Sequence, residues 1–447
     1  MRNDAAAPLP AMPPRPRRPL STPSLVRIGL RNSLALLDEA LFEIPIVERR
    51  YVWGRFFSVS DPDGIRRVMQ DNVDNYPRIA PIRRVFAFRS GTGMLSAEGE
   101  VWRRHRRLLN PTLDHRAVIA DLPLIAELSE RLCDMLAALR EDEPINIGET
   151  FTHLVTAASG TVFAGAEREI DPALYRLGQY PGRYRLSDIL GLRRRTSFEA
   201  VALIDRLIAA RRDPVYAGRH DLLWRIAETG LGDDEIRDEV LTLGATAATP
   251  LRVFPWLWYL LALHPEAEAK LHAELDRVLD GRVPTAQDLP RLRYTRKVID
   301  ETLRLYPPAP TMLRVAAADD AIGGHRVTRG AIVGVFPWVI HRHRTLWEDP
   351  DRFDPDRPAP QSRYAYLPFA IGPHVCIGAS LALVELTVAV AAIAQRFRFR
   401  LAPGRAVEPI AWTNLHPKGG IWMTKTARAA SNPSARTTGR DGRGSAP

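Results

Sequence analysis

Cysteine is almost missing from this sequence: Cys133 and Cys376 are the two copies in 447 residues. A secreted, disulfide-stapled fold needs a larger set, so that class is excluded and a reducing, cytoplasmic setting is expected. Lysine is nearly as rare. Lys270, Lys297, Lys418 and Lys425 are the ones present, so the net charge of +10 is carried by arginine. The arginines are scattered through apolar-periodic segments and build no basic tail with interleaved aromatics, which speaks against a nucleic-acid partner. An acidic protein partner is the better use of such an excess.

An apolar signal core and a linker are lacking too. Residues Met1 to Ser24 are rich in Pro and Arg, so neither a signal peptide nor a membrane anchor is expected there. The run from Val240 to Pro265 holds no Asp or Glu and could be mistaken for a membrane span. Arg252 lies inside it between Pro250 and Pro255, and charge at mid-depth is expensive in lipid, so a buried core helix is expected instead. No Pro/Gly/Ser-rich stretch divides residues 25 to 425, and no repeat of fixed period occurs. The expected organisation is a single domain over residues 25–426, between a disordered Pro/Arg-rich arm at 1–24 and a disordered tail at 427–447.

What is present is helical periodicity. Apolar residues recur at three- and four-residue steps in Leu122–Leu139, Phe198–Arg211, Asp233–His264, Ala267–Leu279, Leu292–Leu305 and Gly378–Arg396. Short β-like runs occur at Phe56–Val59, at Ala331–Phe336 and near Gly420–Met423. The fold class is therefore mainly α with a small β component. Cys133 falls in the helical pattern Ile125, Leu128, Leu132, Met135, Leu136 and reads as core filler.

The stretch from Trp347 to Pro368 is polar, proline-rich and without helical period. Irregular segments of that length inside a compact unit are more often functional than idle. It leads into Phe369-Ala-Ile-Gly372-Pro-His374-Val-Cys376-Ile-Gly378. The two glycines permit backbone conformations and close approaches that a side chain forbids. Cys376 precedes the apolar helical run containing Ala382, Leu383, Leu386 and Val390, and free amides at a helix start stabilise a thiolate.

The full pattern Phe-x-x-Gly-x-x-x-Cys-x-Gly closely resembles the haem-binding loop of the cytochrome P-450 family. Other segments agree, in the family's order. Glu301-Thr-Leu-Arg304 followed by Phe353-Asp-Pro-Asp-Arg357 resembles the family's buried network of one Glu and two Arg. Trp102 and Arg106 resemble its Trp-x-x-x-Arg helix, whose cation holds a haem propionate. Arg314 and His374 match the other propionate positions, and His105 is either a further donor or an ordinary surface histidine. The resemblance runs from about Phe56 to Met423.

It implies a triangular helical prism around a buried haem b (iron protoporphyrin IX), with the iron held by the Cys376 thiolate. It further implies an oxidoreductase that uses dioxygen to hydroxylate or otherwise oxidise a small apolar metabolite. Electrons would come from a separate ferredoxin-type donor with its reductase, and Arg103, Arg104 and Arg107 are candidate docking contacts or merely a solvated helix face. Glu301, Arg304, Arg357, Phe369, Gly372 and Gly378 would frame the site. Pocket walls would come from Ile79–Phe88, Ala245–Thr249, Pro308–Leu313 and Trp412–His416.

The central helix departs from the family. Aligned on Trp256–Pro265, its oxygen-activation motif reads Ala245-Thr246-Ala247-Ala248-Thr249: the catalytic Thr249 is kept, the acid before it is Ala248, and the Gly is Thr246. In the family that acid and threonine, with water, relay protons to the oxygen-binding side of the haem, a service worth roughly 10²–10⁴ in rate. Pro250 and Pro255 remove intrahelical bonds, so the helix is expected to kink or open here. Ordinary monooxygenation, peroxide-driven or non-inserting chemistry, and a non-catalytic haem protein all stay open. The segment between residues 170 and 196 is short for the family's lid helices and broken by Gly and Pro.

Overall fold

The computed structural model describes residues 8–52, 54–151, 198–211, 221–247 and 249–428. The short 170–196 segment lies outside them. The longer helices are α1 (Ala80–Ser90), α2 (Gly99–Leu109), α3 (Leu122–Ala138), α4 (Phe198–Arg211), α5 (Asp233–Ala247), α6 (Phe254–Leu263), α7 (Pro265–Leu279), α8 (Arg293–Leu305) and α9 (Ala379–Arg396). The strands that matter are β1 (Ile46–Tyr51), β2 (Gly54–Val59), β3 (Ile145–Asn146), β4 (Met312–Val315), β5 (Ile332–Val335), β6 (Phe397–Leu401), β7 (Pro409–Ala411), β8 (Leu415–Pro417) and β9 (Trp422–Ala427). A mainly α fold with small sheets is thus what the periodicity leads to.

The largest core gathers α6, α7, α8 and α9, with Trp256, Leu260, Leu275, Ile299, Leu303, Val390 and Ile393 all fully or nearly fully buried. Each such side chain contributes about 1.5–3 kcal/mol by leaving water. Helix α9 is apolar and long enough to cross a membrane, but 56% of that span is already buried in protein, as suits a core helix. Cys133 is fully buried in the same cluster, and burial pushes its thiol up to about 12, so it is packing material.

The sheets sit at the edges. β1, β2, β5 and β4 form a four-stranded sheet in that order, antiparallel except for β2 with β5. β9 runs antiparallel between β3 and β6, and β7 pairs with β8 as a hairpin.

The central helical pattern, legible as one run from Asp233 to His264, is two helices. Helix α5 opens with Asp233, Asp234 and Glu235, which favour its positive end. Its end follows from Pro250, which has no N–H for the Thr246 carbonyl. Thr249 N–H takes that carbonyl instead at 2.9 Å, and a 3-10 turn over Pro250–Arg252 follows. Pro255 then stands in the first turn of α6, where its missing N–H costs nothing. The chain ends one helix and starts another, a larger change than a kink.

The segment expected as a disordered arm is pinned where it is described. Ala11 N–H donates to the Tyr259 hydroxyl at 3.1 Å, the Tyr306 hydroxyl donates to Ala11 O at 2.8 Å, and Arg15 pairs with Asp351 at 2.6 Å. A short helix already runs over Thr22–Gly29. Proline-rich composition lowers helix content, but it does not prevent extended chain from docking on a core. At the other end β9 reaches Ala427, and Arg428 pairs with Asp276. Residues 429–447 of the expected tail lie outside the description.

Candidate functional site

The cysteine loop is set by glycine and by a backbone hairpin. Gly372 has φ 75°, and a Cβ there would fall 2.0 Å from the Met69 carbonyl oxygen, so both conformation and space demand glycine. Val375 N–H returns to Gly372 O at 3.0 Å, and Cys376 N–H donates to Phe369 O at 2.8 Å. Phe369 packs on the main core and anchors the strand side of the loop. Gly378 differs from expectation: its backbone is ordinary, φ −87°, and among the described residues no atom lies within 4 Å of the place of a Cβ. Protein packing does not require glycine there.

Cys376 stands just before α9, as expected. Its side chain is accessible, yet burial is the largest influence on the thiol and raises it above its ordinary value; a Gly378 backbone hydrogen bond and the Arg106 guanidinium pull the other way. Both hold for a sulfur that a small molecule can reach while protein surrounds it. Left to these donors alone the sulfur stays a thiol, so a further positive charge is needed to hold it as thiolate.

Cations crowd the next shell. The Trp102 and His374 rings overlap with centroids 3.9 Å apart. Arg78, which the sequence did not single out, points its Nη2 at His374 Nδ1 from 3.0 Å. Arg78 also lies across from Arg314 in a β-bridge, which places both guanidiniums on one side of β4. Arg106 completes the group: Arg78, Arg314 and Arg106 all push His374 down, after burial, to about 3. Burial lowers each of the three guanidiniums, Arg314 to about 10. The acid paired with this cluster is Glu98, 3.1 Å from Arg78. Arg314 makes no side-chain hydrogen bond among the described residues, and its buried Nε has no partner.

Among the described residues three guanidiniums face one carboxylate, an unbalanced interior charge that is costly by several kcal/mol per ion unless an anion compensates it. The donor set suits a group with two carboxylates. Among the described residues no cluster of His, Cys, Asp or Glu could hold a metal ion alone. A metal at Cys376 therefore needs an organic chelate for its other ligands.

His105 is neither a surface residue nor part of this cluster. It is 1% exposed, with Nδ1 2.7 Å from Glu239 Oε1 and Nε2 3.2 Å from Glu235 Oε1.

The expected Glu-Arg-Arg network forms. Arg304 donates to both Glu301 oxygens, at 2.7 and 2.8 Å, and to the carbonyls of His341, Pro350 and Arg352. Arg357 Nε reaches Glu301 at 3.4 Å, and its other nitrogens take the carbonyls of Glu348, Asp349 and Arg352. The irregular segment is thereby held by side chains in place of a backbone ladder. His341, missed by sequence reasoning, carries the network onward. Its Nδ1 bonds Arg304 O at 2.9 Å and its Nε2 accepts Leu367 N–H at 2.7 Å, two residues before Phe369.

Thr249, half-buried, occupies the turn between α5 and α6. The start of β8 lies nearby: Leu415 N–H bonds Pro308 O at 2.9 Å, and His416 is pushed down by burial and by Arg252 of the same turn. Of the expected pocket walls, Pro308 and Leu415 are thereby joined, and His416 lies within electrostatic reach of the Thr249 turn.

A family model described as cytochrome P-450 matches residues 36–178 and 195–425. The chain is 35% identical over 382 residues to cyclooctatin synthase of Streptomyces melanosporofaciens, spanning 78% of this chain and 81% of the relative. It is 34% identical over 394 residues to cyclooctat-9-en-7-ol 5-monooxygenase of the same organism, spanning 80% and 83%. To Protein LUTEIN DEFICIENT 5, chloroplastic, of Arabidopsis thaliana it is 31% identical over 458 residues, spanning 88% and 75%.

Proposed function

This chain belongs to the cytochrome P-450 family, whose cofactor is haem and whose members named above include a monooxygenase; from that premise we propose that it oxygenates a terpene-like apolar skeleton. The observation that carries the haem assignment is the unbalanced cluster of Arg78, Arg106 and Arg314. Haem b brings two propionates, and these guanidiniums, with Trp102 and His374, would hold them. Cys376 would hold the iron through its sulfur, and the iron would supply the positive charge that this sulfur otherwise lacks. When bound, a thiolate-ligated haem supplies oxygen-activating chemistry.

The protein's own part is to bind, orient and exclude. Glu301, Arg304, Arg357 and His341 fix the segment that presents Cys376. Thr249 would hold a proton-donating hydroxyl beside the site. The substrate class rests on the names of two relatives, for cyclooctatin synthesis and for oxygenation of cyclooctat-9-en-7-ol. Electrons would come from a ferredoxin-type donor with its reductase. Arg103 is engaged by Asp74 and Glu100, and Arg104 by Glu235. Arg107 enters no ion pair among the described residues and is thus the better docking charge of the three. The two unpaired thiols support a reducing, cytoplasmic setting.

Peroxide-driven chemistry is the second reading, favoured by Ala248 and the broken helix. The test is spectroscopic, then kinetic. Reduced, carbon-monoxide-treated protein gives a strongly red-shifted Soret band, lost in Cys376→Ala. A band unaffected by that change, or one typical of nitrogen ligation, overturns the assignment. Turnover of a cyclic terpene alcohol with a ferredoxin chain, set against turnover with hydrogen peroxide, separates the two reactions.

A further inference from the structure

The acid that would precede Thr249 is Ala248, so protons bound for Thr249 need another carrier. The amino-terminal half of α5 holds one. Glu235, Glu239, Thr242, Thr246 and Thr249 follow one another at steps of four, three, four and three residues. That spacing lines them along one face of the helix and into the turn that ends it.

The stripe starts at the surface. Glu235 is partly exposed, pairs with Arg104, and touches His105 Nε2. The other imidazole nitrogen meets Glu239, which is fully buried and also accepts Met94 N–H at 2.8 Å on the same oxygen. Glu239 Oε2 and Thr242 Oγ1 are both buried without a hydrogen-bond partner among the described residues. These two orphans stand less than one turn apart on the same face. Gly93 covers the second: a Cβ there would fall 2.1 Å from Thr242 Oγ1. Thr246 Oγ1 continues the line, donating to the carbonyls of Thr242 and Leu243 at 3.1 and 3.0 Å.

Two adjacent orphans in a native interior call for an explanation, since each costs about 1–3 kcal/mol. We propose that His105, Glu239, Thr242 and Thr246 form a proton relay from solvent at Glu235 to Thr249, replacing the acid absent at Ala248.

Each step moves one proton and no electrons. His105 gives its Nδ1 proton to Glu239 and is recharged at Nε2 from the Glu235 side. Glu239 takes the proton on Oε1, rotation of the neutral carboxyl turns that O–H toward Thr242, and each threonine hydroxyl releases its own proton onward as it accepts the next. Steps of three or four residues rise about 4.5–6 Å, which one bridging water spans. Burial raises the Glu239 carboxyl, Asp238 adds to this, and His105 opposes it. The two glutamates raise the imidazole against burial. A carboxyl so raised can take and hold a proton in the interior.

The bland alternative is that Glu239 only pins the loop before α2, as its neighbour Asp238 does through Thr92 N–H at 2.7 Å. The relay rests on the monooxygenase reading, and the test keeps the two apart. Haem-loaded full-length protein is compared with Glu239→Gln, Thr242→Val and Thr242→Ser. Infrared difference spectra over pH, in light and heavy water, should show a buried carboxyl band that disappears in Glu239→Gln and shifts in Thr242→Val. In turnover, the ratio of ferredoxin-driven to peroxide-driven rate should fall about tenfold or more in Glu239→Gln and Thr242→Val. Thr242→Ser should restore it to within about threefold, since the hydroxyl returns. No titrating carboxyl band that Glu239→Gln removes, or equal loss in both turnover modes, overturns the relay. The infrared arm decides this even if wild-type protein shows no ferredoxin-driven turnover, a result that would count against the oxygenase reading alone.

Discussion

At the residue scale, the two loop glycines separate in what they do. Gly372 sits at φ 75° against the Met69 carbonyl, whereas Gly378 has ordinary backbone and open surroundings. Gly372→Ala should therefore cost about 2–4 kcal/mol, from left-handed strain plus a backbone clash. Gly378→Ala should leave the haem-free protein within about 0.5 kcal/mol, because it touches nothing. Urea unfolding of the haem-free chains checks both. Arg314 makes an opposite-signed prediction. Its guanidinium lies buried beside Arg78, and among the described residues its Nε has no hydrogen-bond partner. Arg314→Met should raise the stability of the haem-free protein by about 1 kcal/mol or leave it unchanged. The same change should speed loss of haem to apomyoglobin. A variant that is less stable without haem would show that the arginine is balanced within the protein itself.

At the scale of elements, side chains do the work of a backbone ladder across residues 347–368. His341 is the joint between α8 and the cysteine loop, and burial pushes its imidazole down to about 3. Below the unfolded value near 6.5 the unfolded chain binds a proton that the folded protein refuses, so stability falls with pH. The slope from this residue should be about 1.4 kcal/mol per pH unit between roughly pH 6 and 4. In His341→Gln, which cannot titrate, that part of the slope should vanish while stability at pH 8 drops through the altered hydrogen bonds. Denaturant midpoints at several pH values measure it, and an unchanged slope refutes it. The break between α5 and α6 belongs to this scale too. Pro250 was readable as a disturbance, but not as the end of a helix, because periodicity does not register a missing hydrogen bond.

At the scale of the whole molecule, the amino-terminal segment is part of the folded body. Ala11, Arg15 and Pro16 bind Tyr259, Tyr306, Asp351 and Glu39, and the Arg15 guanidinium lies 3.9 Å from the Phe42 ring centre. Deleting residues 1–20 should cost roughly 2–6 kcal/mol, at about 0.5–1.5 for each of the four bonds lost. Thermal unfolding of the truncated chain, with an expected fall of several degrees, is the measurement; an unchanged midpoint would return this segment to the status of a loose arm.

Local pattern was enough for much of this protein. The spacing of apolar residues marks the bodies of α3, α4, α7, α8 and α9, because one buried face per helix leaves a 3.6-residue imprint on the chain. The run around Cys376 and the Glu301-to-Arg304 step were legible for a similar reason: their members are close in sequence and chemically rare. Convergence was not. Arg78, His341 and the His105–Glu239 contact join residues from different elements, and none carries a neighbour in sequence that betrays its partner. Whether a buried charge is balanced depends on which distant side chains the folded chain brings within a few ångströms of it, and that sum is written in no single segment.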